Sequence, residues 1–118
     1  MNKNKNKNSF YKGKLFENIA CKYLISKGYK IISKNLYSRF GEIDILATKD
    51  KKLIIIEVKG GKFRYQNINK NKLNKIINTF LHKENKISIN MNSFDAIQID
   101  LIFIDEKNNI EHIQNIIE

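Results

Sequence analysis

Between Leu15 and Leu24 the apolar residues Leu15, Phe16, Ile19, Ala20, Tyr23 and Leu24 recur at three- and four-residue spacing, which predicts a helix with one buried face. Gly28 stands where a left-handed residue would end that helix. From Lys30 the period shortens and β-prone residues dominate. Lys30 to Leu36, Gly41 to Thr48 and Leu53 to Lys59 are predicted as three successive antiparallel strands separated by polar turns. Gly60 and Gly61 break the third strand. A second helical face follows in Leu73, Ile76, Ile77, Phe80 and Leu81, with Lys72 and Lys75 off the apolar stripe. A polar stretch from Glu84 to Ser93 leads into a strand from Phe94 to Ile104, and the Lys107-Asn108-Asn109 turn precedes a last strand between Ile110 and Ile116.

The order helix, three strands, helix, strand, strand describes an α/β chain: one mixed sheet with a helix on each face, a three-layer sandwich. The third strand, second helix and fourth strand should form a right-handed crossover. With 118 residues the chain is read as a single domain, residues 14–118, preceded by a flexible basic tail, residues 1–13. A chain of this size can bury a core without disulfide or metal staples.

Composition narrows the classes. Cys21 is the single cysteine, so no internal disulfide can form, and two distant histidines give no Cys/His metal cluster. A reducing cytoplasm is the expected compartment. Apolar runs such as Leu53 to Ile56 fall far short of the ~18 residues of a membrane span, and the N-terminus alternates Asn and Lys, so neither a membrane partner nor a secretory signal is expected. Lys and Arg number 22 against 12 Asp and Glu, a formal net charge of +10, half of it on Lys3, Lys5, Lys7, Lys12 and Lys14. That balance suits a polyanionic partner. It also suits simple solubility, and heavy use of Lys, Asn and Ile throughout is what an AT-rich genome would encode.

The segment that carries chemistry is Gly41-Glu42-Ile43-Asp44-Ile45-Leu46 followed by Ile54-Ile55-Ile56-Glu57-Val58-Lys59. If residues 49–52 form the hairpin loop, Thr48 pairs with Leu53, Asp44 falls opposite Glu57 and Glu42 opposite Lys59, gathering three carboxylates and a lysine on one face. Opposed carboxylates repel in a mostly apolar sheet unless something positive lies between them. A divalent cation would resolve the conflict, and oxygen-only ligands favour Mg²⁺ or Mn²⁺. Lys59 could then orient a water and stabilise charge on an attacked phosphate, the requirements of phosphodiester hydrolysis. The plainer alternative is two strands with charged ends and a cross-strand salt bridge. Glu17, at the rim of the first helix's apolar face, is either a fourth acidic group leaning over the sheet or an ordinary solvated helix charge.

Asp44 and, thirteen positions later, Glu57-Val58-Lys59 resemble the PD-(D/E)xK nuclease core, and with Glu17 the set is similar to the Holliday junction resolvase arrangement. A longer series resembles the YraN family of small uncharacterised bacterial proteins, regarded as endonuclease-like. It comprises Leu15 to Ala20, Tyr23-Leu24, Gly28 to Ile32, Asn35, Gly41 to Asp44, Ile56 to Lys59, Lys72, Phe94-Asp95 and Ile110 to Ile113. The resemblance covers nearly the whole chain. It implies a restriction-endonuclease-like sandwich, Asp44, Glu57 and Glu17 as Mg²⁺ or Mn²⁺ ligands, and Lys59 as the catalytic lysine, with DNA as substrate. The chain departs from the family pattern after the third strand, where Gly60-Gly61-Lys62-Phe63-Arg64 replaces an expected Arg, and at Ser93, where an Arg usually precedes Phe-Asp.

Arg39, Lys62, Arg64 and Lys72 are the expected nucleic-acid contacts, flanked by Tyr37, Phe40, Phe63 and Tyr65, which could stack on bases or equally cap the core. His112 reads as structural, His82 as favouring a helix C-terminus, and Cys21 as a small buried side chain. The expected function is metal-dependent hydrolysis of DNA, branched or single-stranded. The alternatives are a binding module that keeps the fold without cutting, and a protein–protein adaptor. Symmetric cutting of two strands would call for a homodimer.

Overall fold

A computed structural model describes residues 3–61, 69–83 and 89–116, with side chains from residue 11 onward in the first helix. Helix α1 (Lys3–Ser26) is followed by strands β1 (Lys30–Ser38), β2 (Gly41–Lys49) and β3 (Lys52–Gly60), helix α2 (Lys70–Lys83), a 3₁₀ turn at Met91–Ser93, and strands β4 (Ala96–Ile104) and β5 (Ile110–Ile113). The five strands form one sheet in sequence order, antiparallel except for the parallel β3–β4 pair that α2 connects. The α/β class, the mixed sheet and the element order agree with the sequence pattern.

Two apolar layers separate the sheet from its helices. Ala20, Cys21 and Leu24 of α1 pack on Ile45, Ala47, Ile54, Ile56, Val58, Ile102 and Ile104. Ile76 and Phe80 of α2 pack on Ile43, Leu46, Leu53, Ile55 and Ile99 on the other face. Gly28, at φ +92°, ends α1 as expected, and Tyr29 N–H donates back to the Leu24 carbonyl over 3.0 Å.

Several details differ from expectation, among them the ends of β1, β4 and β5. Helix α1 starts at Lys3 and so runs back through most of the segment read as a tail. The β2–β3 hairpin turns on two residues, Asp50 and Lys51, both left-handed, so Lys49 pairs with Lys52 while Thr48 still pairs with Leu53. On α2, Leu81 is exposed and Thr79 takes the buried place, its hydroxyl 3.0 Å from that of Ser38 at the β1–β2 hairpin end.

Candidate functional site

The β1–β2 pair is irregular at two levels: its register shifts between Ile31 and Ser33, and the pleat is lost again at Asn35 and Asp44. Ile43 and Ile45 are two residues apart on β2, yet Ile43 joins the α2-side core and Ile45 the α1-side core. Their partners on β1 are Leu36 and Lys34, and between these lies Asn35 at φ +54°. A residue in the left-handed region is uncommon outside glycine, with asparagine among the tolerant exceptions.

Both side chains at this irregularity do polar work. The Asp44 carboxylate turns into the gap between β2 and β3, where Oδ2 accepts from Val58 N–H over 2.8 Å, and the regular β2–β3 ladder stops one residue earlier at Ile45 and Ile56. The Asn35 amide nitrogen, in the orientation that satisfies its neighbours, donates to Glu17 Oε1 and Oε2 at 3.0 and 3.3 Å, while its oxygen accepts from Lys14 Nζ at 3.0 Å. Lys14 Nζ also lies 3.8 Å from Glu17 Oε1.

The register therefore agrees with the sequence reading from Thr48 to Ile45, but the expected gathering on one face does not form. Asp44 reaches the centre within the plane of the sheet. Glu57 is carried on the α2 side with Leu53 and Ile55, and Glu42 pairs with Tyr37 on β1. Glu57 is 1% exposed; its Oε2 lies 3.5 Å from Lys72 Nζ and 3.9 Å from Lys59 Nζ. Lys72, expected as a peripheral nucleic-acid contact, is thus part of the acidic centre. Asn69 positions it by capping the first turn of α2, its Oδ1 accepting from Lys72 N–H at 3.0 Å. Among the described residues Glu57 Oε1 is the buried side-chain oxygen without a hydrogen-bond partner.

An open cleft of about 850 Å³ lies over this centre, lined by Glu17, Glu42, Asp44, Lys59 and Gly60, with Lys12 and Phe16 of α1 and Glu106 and Asn108 of the β4–β5 turn as walls. Among the described residues, no three His, Cys, Asp or Glu side chains are grouped so as to hold a metal ion by themselves. Glu17 faces the cleft but is held by Lys14 and Asn35 instead of closing a cage with Asp44 and Glu57. Arg39 sits on the hairpin end, its guanidinium 4.9 Å from the Phe40 ring centroid, and is not a cleft-lining residue. Lys62 and Arg64, with Phe63 and Tyr65, lie outside the described residues.

Burial raises the Asp44 carboxyl to about 6, against the Val58 hydrogen bond and Lys59; Glu42 and Glu17 add to the rise. Burial likewise raises Glu57 to about 7, the Asp44 charge adding to it while Lys72 and Lys59 oppose it. Each group therefore binds its proton more tightly in the folded chain than in the unfolded one. This pair's contribution to stability is greatest below about pH 4 and falls as pH rises to about 7, where it levels off. Urea melts of metal-free protein at a series of pH values are expected to show that decline, and Glu57→Gln to flatten it. An unchanged slope in Glu57→Gln would contradict the assignment.

Sequence reasoning missed a second buried polar cluster. Asp100, fully buried on β4, accepts from Gln98 Nε2 and Asn115 N–H at 2.9 Å, and its Oδ2 lies 2.7 Å from His112 Nε2. His112 Nδ1 is 3.0 Å from the Tyr23 hydroxyl. His112, read from the sequence as a lone histidine, is thus held between Asp100 and Tyr23. Cys21 is buried in the α1-side core, where burial pushes its thiol up, in keeping with its reading as a packing residue.

The sheet and the cleft define a class: an α/β protein whose third strand ends beside paired buried carboxylates and two lysines. The chain belongs to the uncharacterised protein family UPF0102, whose model matches residues 16–104 and bears out the YraN resemblance. It is 44% identical over 103 residues to a UPF0102 protein of Campylobacter fetus, covering 85% of this chain and 88% of the relative. A Petrotoga mobilis UPF0102 protein is 41% identical over 100 residues, 79% and 85% of the two chains. One from a Sulfurihydrogenibium species is 38% identical over 112 residues, 88% and 91%. No helix among the described residues is long and apolar enough to cross a membrane.

Proposed function

We propose that this chain is a metal-dependent nuclease of the PD-(D/E)xK type on a restriction-endonuclease-like sandwich, hydrolysing phosphodiester bonds in DNA. The observation that carries the reading is the buried Asp44–Glu57 pair beside Lys59 at the cleft. The residues fit a hard divalent cation. Glu57 Oε1 is buried without a partner, the donors are carboxylate oxygens, and Mg²⁺ binds through one or two carboxylates while keeping several waters. Asp44 and Glu57 would hold Mg²⁺ or Mn²⁺, with Glu17 facing the same cleft and orienting its water. Bound there, the cation would supply a water of lowered pKa and charge for the phosphate.

The chain's own groups supply the rest. Val58 N–H fixes one Asp44 oxygen and so leaves the carboxylate a single orientation. Lys59, which lines the cleft, would hold a phosphate oxygen and stabilise the charge that develops on it. Arg39, Lys62 and Arg64 would contact the backbone of the polyanion. A second copy of the chain is needed only if both strands of a branched substrate are cut symmetrically.

A second reading has its own support: Lys59 and Lys72 already balance the two buried carboxylates, so the fold does not require a cation, and a nucleic-acid-binding module without turnover would use the same surface. Labelled branched, single-stranded and duplex DNA incubated with Mg²⁺ or Mn²⁺ separates the two. Cutting that disappears in Asp44→Asn and Lys59→Ala is the expected result. Salt-sensitive binding retained by both variants, with no cutting by any form, would replace the nuclease with the binding module.

A further inference from the structure

Resting on that reading, we propose that Lys72 is an exchangeable counter-ion: it neutralises Glu57 in the metal-free protein and, once a divalent cation occupies Glu57, is released to bind a phosphate of the nucleic acid. Two ammonium groups share one Glu57 oxygen, and the other oxygen has no hydrogen-bond partner. The separations, 3.5 and 3.9 Å, exceed the ~2.7 to 2.9 Å of tight charge-assisted hydrogen bonds, so the contacts can exchange without loss of a strong bond.

The two lysines differ in origin. Lys59 is on the same strand two residues from Glu57 and lines the cleft. Lys72 arrives from another element, its backbone fixed by Asn69 and its side chain 34% exposed. A flexible four-carbon stem ending in a strongly hydrated point charge suits such a transfer. Charge favours it as well: Asp44, Glu57, Lys59 and Lys72, taken as ionised, sum to zero, so a dication on Glu57 weakens the hold on Lys72 and leaves its charge to a phosphodiester.

The test measures Mn²⁺ binding by calorimetry and thermal melting, without turnover, for wild type, Lys72→Met and Lys72→Arg, with Glu57→Gln as the metal-site control and circular dichroism to confirm folding. It also measures binding of single-stranded and branched DNA with and without Mn²⁺. Lys72→Met is expected to bind Mn²⁺ about tenfold more tightly than wild type at pH 8, because its competitor is gone. It should also lose the gain in DNA affinity that Mn²⁺ gives the wild type. Lys72→Arg should keep that gain. Equal Mn²⁺ affinity in wild type and Lys72→Met, with binding abolished by Glu57→Gln, would overturn the exchange and leave the metal site standing. No Mn²⁺ binding by any form would overturn both.

Discussion

Replacing Gly60 with alanine is expected to destabilise the chain by about 3 kcal/mol and lower its melting temperature by roughly 10 °C. A Cβ at this position would fall within the van der Waals envelope of three ring atoms of Phe16. Phe16 packs against the α1-side core, so swinging the ring clear gives up that packing and shifts the first packed turn of α1. Glu17 is the next residue and moves with it. Thermal melts of Gly60→Ala, Phe16→Ala and the double variant form a cycle in which the cost of the added methyl should nearly vanish once the ring is gone. Additive costs would show that the strain lies elsewhere.

Asp100→Ala should cost still more, about 3 to 5 kcal/mol, because it strands the His112, Gln98 and Asn115 donors in the interior at once. Asp100→Asn should be much milder. Its oxygen can accept from Gln98 and Asn115, and its amide can donate to His112 Nε2 once the imidazole proton moves to Nδ1 and faces the Tyr23 hydroxyl. Urea denaturation separates the two variants, and hydrogen exchange at β5 should report the Asp100→Ala damage first. Equal losses for both would mean that packing, not the hydrogen bonds, holds this corner.

These cases show where the sequence is readable. Alternation and turn placement led to the Thr48–Leu53 pairing and hence to Asp44 and Glu57 as neighbours, since a ladder propagates its register by counting. Counting fails where the pleat fails. Nothing in the sequence around Asn35 and Asp44 announces that both strands break step, and so the expected four-group face became a centre entered from the sheet plane, α1 and α2. Lys72 was legible as a basic residue off the apolar stripe, but its partner is fixed by how α2 docks. The Asp100 cluster was invisible for a similar reason: its members come from α1, β4, β5 and the residues after β5, brought together only by the closed fold.

The broken step on β2 makes that strand a crankshaft. Ile43 and Ile45 are its two throws, one set in each core, and Asp44 is the journal between them. A change in how tightly α2 sits on Ile43 therefore turns the strand at a carboxylate that lies in the plane of the sheet. Volume lost at Ile43, or at Ile76 or Phe80 in the same layer, will reach the cleft as a turned Asp44 without touching a single residue that lines it.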